Sequence, residues 1–312
     1  EKAMIREIEK ISHRIKTKEI AGADETALAC ARALIILARY SKAKTLEEFR
    51  WDVKEVTNRL INARPSSSSL RNAVSYISRE LEGADDVELA KMRSLIENSA
   101  SRLVERIDDA KKRIAEIGSK RIRDGDVILT HGFSTTVLSI LKRVVEEGKS
   151  IQLFVTEARP GFEGREMAWR INDSGLPVTL IADSAARVFI DEIDNVLTGA
   201  EAIAVNGAVI SKVGTAVIAT LAHEARVRML VAAGTYKFSP ETVVGELVEI
   251  EEGDQAQIVD PKLLAKRENI HVQNPIYDVT PPQYVDAIIT ERGMVPPQGV
   301  YLILRQIMEG PN

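Results

Sequence analysis

Apolar residues recur every three to four positions through residues 1–123, and charged residues fill the positions between them. The first such stripe consists of four isoleucines, Ile5, Ile8, Ile11 and Ile15, and this spacing predicts one face of an amphipathic helix. Thr45, with Glu48 three residues later, predicts a helix start with a capping box. Residues 86–118 keep the helical period, so they form either one long helix or two stacked helices. The pattern therefore predicts an all-helical domain over residues 1–123.

The period changes at residue 124, where short apolar runs begin to alternate with helical patterns. The predicted strands are residues 127–130, 153–156, 178–182, 196–197, 229–232 and 287–290, and the predicted helices include residues 136–147, 164–172 and 214–225. Continuously apolar strands that alternate with helices are typical of a parallel sheet covered on both faces. The sequence therefore predicts an α/β fold, in which the helical domain is followed by a Rossmann-like, doubly wound, mostly parallel sheet over residues 124–312. Folds of this kind bind ligands beyond the carboxyl ends of their strands.

Composition narrows the class of protein. The 312 residues are 45% hydrophobic, which is enough chain for two cores. The single cysteine, Cys30, lies among Ala and Leu residues on a predicted helix and is expected to be a core residue, so neither a disulfide scaffold nor a Cys-rich zinc site is expected. No apolar run approaches the roughly 18 residues that a membrane span needs. We expect a cytoplasmic protein without a membrane segment, and no metal or other cofactor is predicted.

Charge is distributed unevenly along the chain. Residues 1–123 carry 26 basic and 20 acidic side chains, whereas residues 124–312 carry 16 and 26. The basic residues of the first domain mostly alternate with acids at helical spacing, and aromatic residues are only 4% of the chain. Stacking platforms for single-stranded nucleic acid are therefore not expected, and we predict no direct nucleic-acid partner. Trp51 and Trp169 fall on predicted helix faces and are interpreted as packing residues.

Polar and charged side chains follow several of the predicted strands. The first strand leads into a small polar turn at residues 130–136, and later strands are followed by Arg159, Asp183, Glu201 and Lys237. A turn that opens a helix can hold a phosphate on its backbone amides, and a guanidinium can hold one by two parallel hydrogen bonds. The shared location of these groups predicts a crevice for a sugar phosphate at the carboxyl ends of the strands.

The same residues carry a family resemblance through a series of short motifs. In chain order these are RPS (64–66), TH (130–131), TEARP (156–160), DSAA (183–186), GAE (199–201), NG (206–207), KVGT (212–215), TYKF (235–238), YDVTPP (277–282) and ITERG (289–293). Nearly the whole chain thus resembles the superfamily that joins the alpha, beta and delta regulatory subunits of translation initiation factor 2B with methylthioribose-1-phosphate isomerase and archaeal ribose-1,5-bisphosphate isomerase. The overall similarity is greatest to the ribose-1,5-bisphosphate isomerase branch.

The resemblance implies a reaction, and it also exposes two departures from it. The isomerases of the superfamily convert an aldose phosphate to the ketose, and they move the proton between adjacent sugar carbons with a cysteine after the Thr-His pair and an aspartate in a Gly-Ala-Asp run. This sequence has Gly132 at the cysteine position and Glu201, one methylene longer, at the aspartate position. It also has Ala-Gly-Ala-Asp at residues 21–24 where the family has a basic Arg-Gly-Ala-Gly run, which removes a cation from a phosphate site.

The ligand-binding positions match the family better than the catalytic ones. The resemblance implies that phosphate and hydroxyl groups are bound by six residues, Arg64, Ser66, Ser134, Arg159, Lys212 and Lys237. Glu201 still has the carboxylate needed to accept a hydrogen bond from a sugar hydroxyl. His131 has the ordinary pKa range of a base, but it is the family's usual residue there, so we interpret it as an anchor that fixes the turn by hydrogen bonds.

Two functions from different classes follow from these observations. The first is a regulatory protein related to the initiation factor 2B subunits, which binds a sugar phosphate or nucleotide at a degraded isomerase site. The second is a ribose-1,5-bisphosphate isomerase, which makes ribulose 1,5-bisphosphate in nucleoside salvage. We favour the first, because positions 132 and 201 are those that perform the chemistry. The resemblance also implies a homo-oligomer, either a dimer or a hexamer formed as a trimer of dimers, and initiation factor 2 as a candidate partner. Residues 274–297 are a candidate interface segment.

Overall fold

The computed structural model of the chain describes residues 2–20, 22–65, 67–82, 87–240, 242, 250–267 and 269–309. Two compact units are present, residues 1–110 and residues 111–312. The described part of the first unit is helical, and the second unit contains two β-sheets with helices.

The first unit is built from the helices α1 (Lys2–Lys16), α2 (Ala23–Tyr40), α3 (Leu46–Ala63), α4 (Ser68–Ser78) and the larger part of α5 (Leu89–Ser119). The predicted stripe of α1 buries its last three isoleucines, whereas Ile5 is 39% exposed at the edge of the stripe. Thr45 caps α3 as predicted, since its side chain accepts a hydrogen bond from the backbone N–H of Glu48 at 3.1 Å. The Glu48 carboxylate reaches back to the N–H of Lys44 at 2.7 Å, one residue before the cap.

Helix α5 is continuous, which decides between the two alternatives for this segment. The division between the units falls inside this helix, at residues 110 and 111, whereas the sequence pattern changes at residues 123 and 124. The difference has a cause in the packing, because Ile114 and Ile122 belong to an apolar cluster with strand residues of the second unit. A hydrophobic period indicates that residues are helical, but it does not indicate which core they join.

The described residues of the second unit form ten strands, β1 (Val127–His131), β2 (Gln152–Thr156), β3 (Val178–Ile181), β4 (Asn195–Gly199), β5 (Ala202–Ile203), β6 (Val209–Lys212), β7 (Arg228–Ala232), β8 (Tyr277–Thr280), β9 (Ala287–Thr290) and β10 (Gly293–Val295). Seven of them form the main sheet, in the order β10-β9-β7-β4-β1-β2-β3. All neighbouring pairs in this sheet are parallel except β10 and β9. The chain moves outward from β1 in one direction and then from β4 in the other, so the predicted doubly wound fold is confirmed.

Helices cover both faces of the main sheet. On one face, α6 (Thr135–Glu146) and α7 (Glu163–Asn172) pack in a cluster that includes Ile128 and Leu197. On the other face, α9 (Thr215–Ala225) and α11 (Val300–Glu309) pack in a cluster that includes Leu129 and Val196. Successive residues of a strand point to opposite faces, which explains why neighbouring residues join different clusters. The described part of this unit also has two single-turn helices, α8 (Ala186–Phe189) and α10 (Pro261–Leu264).

A second, antiparallel sheet has the strand order β5-β6-β8, and the sequence pattern does not predict it. Strand β5 has two residues, and β6 and β8 have four each. Such short strands leave little periodic signal, and the partners β6 and β8 are distant in sequence. Their register places Lys212 opposite Tyr277.

Three residues singled out in the sequence have different outcomes. Cys30 is fully buried, so its prediction as a core residue is confirmed. The prediction that Trp51 and Trp169 are packing residues is wrong, because they are 62% and 55% exposed on α3 and α7.

Within the described ranges, no helix has the length and apolar character to cross a membrane.

Candidate ligand-binding site

The parallel strands β1, β2, β4 and β7 end at one edge of the main sheet. The loops after these strands and the end of β6 carry seven positions that we call the strand-end site, Gly132, Ser134, Arg159, Glu163, Glu201, Lys212 and Lys237. All of them except Glu163 were singled out from the sequence. The site includes the loops of β1 and β4, where the strand order reverses and where doubly wound folds bind their ligands.

The turn after β1 is built from a glycine and a helix cap. Gly132 has a φ of +74°, which glycine adopts without steric cost. Ser134 is the N-cap of α6, and its Oγ accepts a hydrogen bond from the N–H of Val137 at 3.2 Å. The same Oγ lies so close to Gly199 that a Cβ added there would be 2.5 Å from it. The N-terminus of α6 therefore packs closely against the end of β4.

His131, the last residue of β1, is fixed by two hydrogen bonds. Its Nδ1 lies 2.6 Å from Oγ1 of Thr156, and its Nε2 lies 2.8 Å from the backbone oxygen of Val213. Because a carbonyl only accepts, this network assigns the proton to Nε2, and Nδ1 accepts from the threonine hydroxyl. Burial lowers the pKa of His131, which favours the neutral ring. Both nitrogens are occupied, as an anchoring role requires, so His131 is poorly placed to move a substrate proton.

Position 132 is crowded as well as left-handed. A Cβ added to Gly132 would lie 3.2 Å from Cβ of Lys212 and 3.4 Å from its Cγ. A cysteine here would therefore need an uncommon backbone conformation for a residue with a side chain, together with a small shift of Lys212. The Lys212 side chain leaves β6 beside Gly132, the position at which the resemblance implies a thiol in the isomerases.

Lys212 forms an ion pair with Glu163, a residue that the sequence analysis missed. Its Nζ lies 2.9 Å from Oε1 of Glu163, which occupies the first turn of α7. The Lys212 side chain is 12% exposed and that of Glu163 is 41% exposed. Glu163 follows the TEARP motif by three residues, but its partner is 49 residues away. No local pattern could have predicted this pair.

Glu201 follows β4 and is 7% exposed. Its backbone N–H donates to the oxygen of Ile210 at 2.9 Å, which places it beside β6. Its Oε2 lies 3.4 Å from the hydroxyl of Tyr277, which donates to it. The second sheet therefore helps to position this carboxylate.

Arg159 is presented by a loop that Asp183 supports. The Asp183 carboxylate accepts hydrogen bonds from the backbone N–H groups of Ala158 and Arg159 at 2.8 and 2.7 Å. The guanidinium is exposed, its Nη2 donates to the backbone oxygen of Gln257 at 3.3 Å, and its carbon lies 5.0 Å from the centroid of the Phe162 ring. A guanidinium has five N–H donors, so this group retains donors for an anion.

Lys237 is 3% exposed at the loop after β7. Its Nζ lies 5.9 Å from the centroid of the Tyr236 ring. The loop is held by Glu291, whose carboxylate accepts hydrogen bonds from both the backbone N–H of Thr235, at 2.9 Å, and the hydroxyl of the same residue. The ITERG motif therefore supports the loop that carries Lys237.

Two further residues were predicted from the sequence to bind the ligand. Arg64 lies in the first unit, where it follows the last residue of α3 and is 4% exposed. Ser66 lies outside the described residues. Their role in ligand binding stays a prediction.

Asp278 is a second residue that the sequence analysis left without a role. Its Oδ2 accepts hydrogen bonds from the N–H groups of Gly214 at 2.7 Å and Ala216 at 3.1 Å, so it caps α9 from strand β8. Burial raises the pKa of Asp278. The capped turn brings Gly214, with a φ of +104°, against the ring of His131. Asp278 lies in the YDVTPP motif, but its contact with α9 depends on the pairing of β6 and β8.

The strand-end site combines positively charged side chains with a hydrogen-bonding carboxylate. Arg159 and Lys237 supply positive charge, and Glu201 supplies acceptor oxygens. The chain's one thiol, Cys30, is fully buried in the first unit, and this burial raises its pKa to about 12, so it does not supply a thiolate near neutral pH. Among the described residues, no three His, Cys, Asp or Glu side chains are grouped to hold a metal ion.

Comparisons with known proteins find similar sequences and structures along almost the whole chain. The sequence model of the Initiation factor 2 subunit family (IF-2B) matches residues 19–297. The ribose 1,5-bisphosphate isomerase of Thermococcus kodakarensis is 43% identical over 97% of this chain and 95% of its own. The crystal structure of the translation initiation factor eIF-2B of Pyrococcus horikoshii OT3 has a TM-score of 0.79 and 32% identity, and the match covers 93% of this chain and 97% of that one. The 5-methylthioribose 1-phosphate isomerase of the same organism also has a TM-score of 0.79, with 28% identity over 96% of this chain and 88% of its own.

Proposed function

Because the chain belongs to the Initiation factor 2 subunit family, we propose that it is a regulatory protein that binds a sugar phosphate at the strand-end site and does not isomerise it. The observation that carries this proposal is the state of the two positions that perform the isomerase chemistry. Position 132 is a glycine in a left-handed conformation beneath Lys212, and position 201 is a glutamate held by Tyr277.

The missing thiol is the stronger of these two arguments. A thiolate gives and takes a proton near neutral pH, whereas a glycine has no group to do so. His131 does not replace it, because both ring nitrogens are already hydrogen-bonded. The change from aspartate to glutamate moves the carboxylate by about 1 Å, a displacement that can cost about 10²-fold in rate.

Binding groups remain while the catalytic groups are altered. The Arg159 guanidinium is exposed, Lys237 lies in the turn that follows β7, and α6 begins at the Ser134 cap. Cations and helix N-termini are the groups that bind phosphate in proteins. These features support a site that recognises a phosphorylated sugar.

Calorimetric titration of the purified chain with ribose 5-phosphate and ribose 1,5-bisphosphate tests the proposed binding. We expect at least one of them to bind, and we expect Arg159→Ala to weaken that binding about tenfold or more, since charge-assisted hydrogen bonds contribute about 1.5–3 kcal/mol. Arg187→Ala is the matched control, because Arg187 is an exposed arginine of the same unit that pairs with Asp191. Binding of neither sugar phosphate, or equal effects of the two substitutions, would contradict the proposal.

A second candidate function is ribose-1,5-bisphosphate isomerase, and the sequence similarity favours it. A relative of that name is 43% identical over nearly the full length of both chains. In this case Glu201 would be the remaining proton-transfer group. Conversion of ribose 1,5-bisphosphate to ribulose 1,5-bisphosphate by the purified chain, abolished in Glu201→Gln, would establish this function and reject the first.

We further propose a cytoplasmic homo-oligomer, either a dimer or a hexamer formed as a trimer of dimers, with initiation factor 2 as a candidate partner. Exposed apolar side chains on the second unit support an interface, since Val188, Val217 and Leu302 are 71%, 63% and 57% exposed. Residues 274–297 stay a candidate interface segment, in which Val279 is 45% exposed while Ile288, Ile289 and Val295 are buried. Light scattering that finds a monomer at micromolar concentration would contradict the oligomer, and failure of purified initiation factor 2 to bind would exclude that partner.

A further inference from the structure

We propose that Glu163 determines the charge of the ligand, so that the strand-end site takes a sugar monophosphate in preference to a sugar bisphosphate. This inference rests on the proposed function and names the class of ligand for the same site. It concerns a residue that neither the motifs nor the resemblance singled out. Glu163 is paired with Lys212, has one carboxylate oxygen without a hydrogen-bond partner among the described residues, and lies in a closely packed turn.

The first step is the neutralisation of Lys212. The sequence predicts Lys212 as a ligand-binding cation, but its Nζ lies 2.9 Å from Oε1 of Glu163. The Lys212 side chain is only 12% exposed, so this ion pair is screened less than a pair on the surface. An incoming phosphate therefore meets a neutral pair instead of a positive charge.

The second step is the other carboxylate oxygen of Glu163. Oε2 is buried, and it has no hydrogen-bond partner among the described residues. Lys212 engages the first oxygen, so the negative charge on the second is not balanced by a donor of its own. The oxygen itself is out of reach of a ligand, but its charge repels a phosphate bound in the same site.

The third step is that the carboxylate is held in place. The neighbouring residue, Gly164, packs so closely on strand β2 that an added Cβ would lie 1.8 Å from the backbone oxygen of Thr156. The first turn of α7 therefore cannot move away from the sheet without breaking this contact. On the other side, a Cβ at Gly161 would lie 2.5 Å from Oε1 of Glu163. The helix N-terminus also favours a negative charge at this position.

The Lys212–Glu163 pair affects the affinity for a sugar bisphosphate more than the affinity for a sugar monophosphate. The exposed Arg159 guanidinium keeps N–H donors for one phosphate, since only Nη2 donates to Gln257. A second phosphate on the same sugar needs a further cation, and the remaining candidate of the site, Lys212, is paired with a carboxylate. The pair as a whole offers no attraction, and a phosphate held nearer to the carboxylate than to Nζ of Lys212, within about 6 Å, is disfavoured on the order of tenfold or more in a partly buried site.

The test compares two ligands and three proteins by calorimetric titration. The ligands are ribose 5-phosphate and ribose 1,5-bisphosphate, and the proteins are the unmodified chain, Glu163→Gln and Glu166→Gln. Glutamine has the shape of glutamate without its charge, and Glu163 is 41% exposed, so the fold tolerates the change. Glu166 lies on the same helix and pairs with Arg170 at 2.7 Å on the surface, which makes its substitution the matched control for charge.

We expect the unmodified chain to bind the monophosphate about tenfold more tightly than the bisphosphate. In Glu163→Gln, we expect the bisphosphate to bind about tenfold more tightly than before and the monophosphate to change less than about threefold, while Glu166→Gln changes neither. An unchanged preference in Glu163→Gln, or an equal change for both ligands, would overturn the inference and leave the proposed function intact. If neither ligand binds to the unmodified chain, the proposed function itself is wrong.

Discussion

Gly214 provides the most direct test of how the strand-end site is assembled, because it lies against the ring of His131. Its φ is +104°, and an added Cβ would lie 2.9 Å from both Cε1 and Nε2 of the ring. The ring cannot turn away without losing the hydrogen bonds to Thr156 and Val213. We predict that Gly214→Ala destabilises the protein by about 2–5 kcal/mol, since positive φ costs a residue with a side chain about 1–2 kcal/mol and overpacking adds about 1–3 kcal/mol.

The matched control for this prediction is Gly148→Ala. Gly148 has a φ of +74°, and a Cβ added there would have nothing within 4 Å. Its substitution therefore carries the backbone cost of about 1–2 kcal/mol without the clash. Urea unfolding of both variants and the unmodified chain, followed by far-UV circular dichroism, gives the two free-energy changes. If Gly214→Ala is no more destabilising than Gly148→Ala, His131 is not held rigidly against the turn.

Three further predictions concern buried groups. An NMR titration will show His131 as the neutral Nε2–H tautomer, with a pKa below 6.5. Because folding lowers the pKa of this group, its contribution to stability is fully present above pH 6.5. That contribution is lost as the pH drops through the folded pKa. Cys30, whose pKa is raised to about 12, will not react with iodoacetamide at pH 8 in the native protein and will react once the protein is unfolded; labelling of the native protein would contradict its burial. Asp278→Ala will lower the free energy of unfolding by about 1–2 kcal/mol through loss of the α9 cap. Asp278→Asn keeps an acceptor oxygen, so in urea unfolding it will lower that free energy by less than half as much. Equal losses in the two variants would exclude the capping role.

The main sheet could be predicted from the sequence because its central strands are short, continuously apolar runs. Strands β1, β2, β7 and β9 lie within one residue of their predicted bounds. The second sheet could not be predicted in the same way. Strand β6 reads Val-Ile-Ser-Lys and β8 reads Tyr-Asp-Val-Thr, and both are defined by pairing across the chain more than by a local period.

The same distinction between local pattern and long-range pairing applies to the candidate site. Gly132, Ser134, Arg159 and Glu201 could be located because each follows a strand whose end was predicted, and parallel strands end at one edge. The partners of these residues could not be located. Glu163 and Lys212, like Asp278 and the N-terminus of α9, meet only after distant segments have folded together.

The central claim is that the strand-end site binds a sugar phosphate without isomerising it. Phosphorus-31 NMR of the purified chain with ribose 1,5-bisphosphate, at a concentration that saturates the site in calorimetry, measures this directly. We predict that the ribose 1,5-bisphosphate signals persist and that no ribulose 1,5-bisphosphate forms. Formation of ribulose 1,5-bisphosphate in catalytic amounts, lost in Glu201→Gln, would contradict the account and make this chain an isomerase.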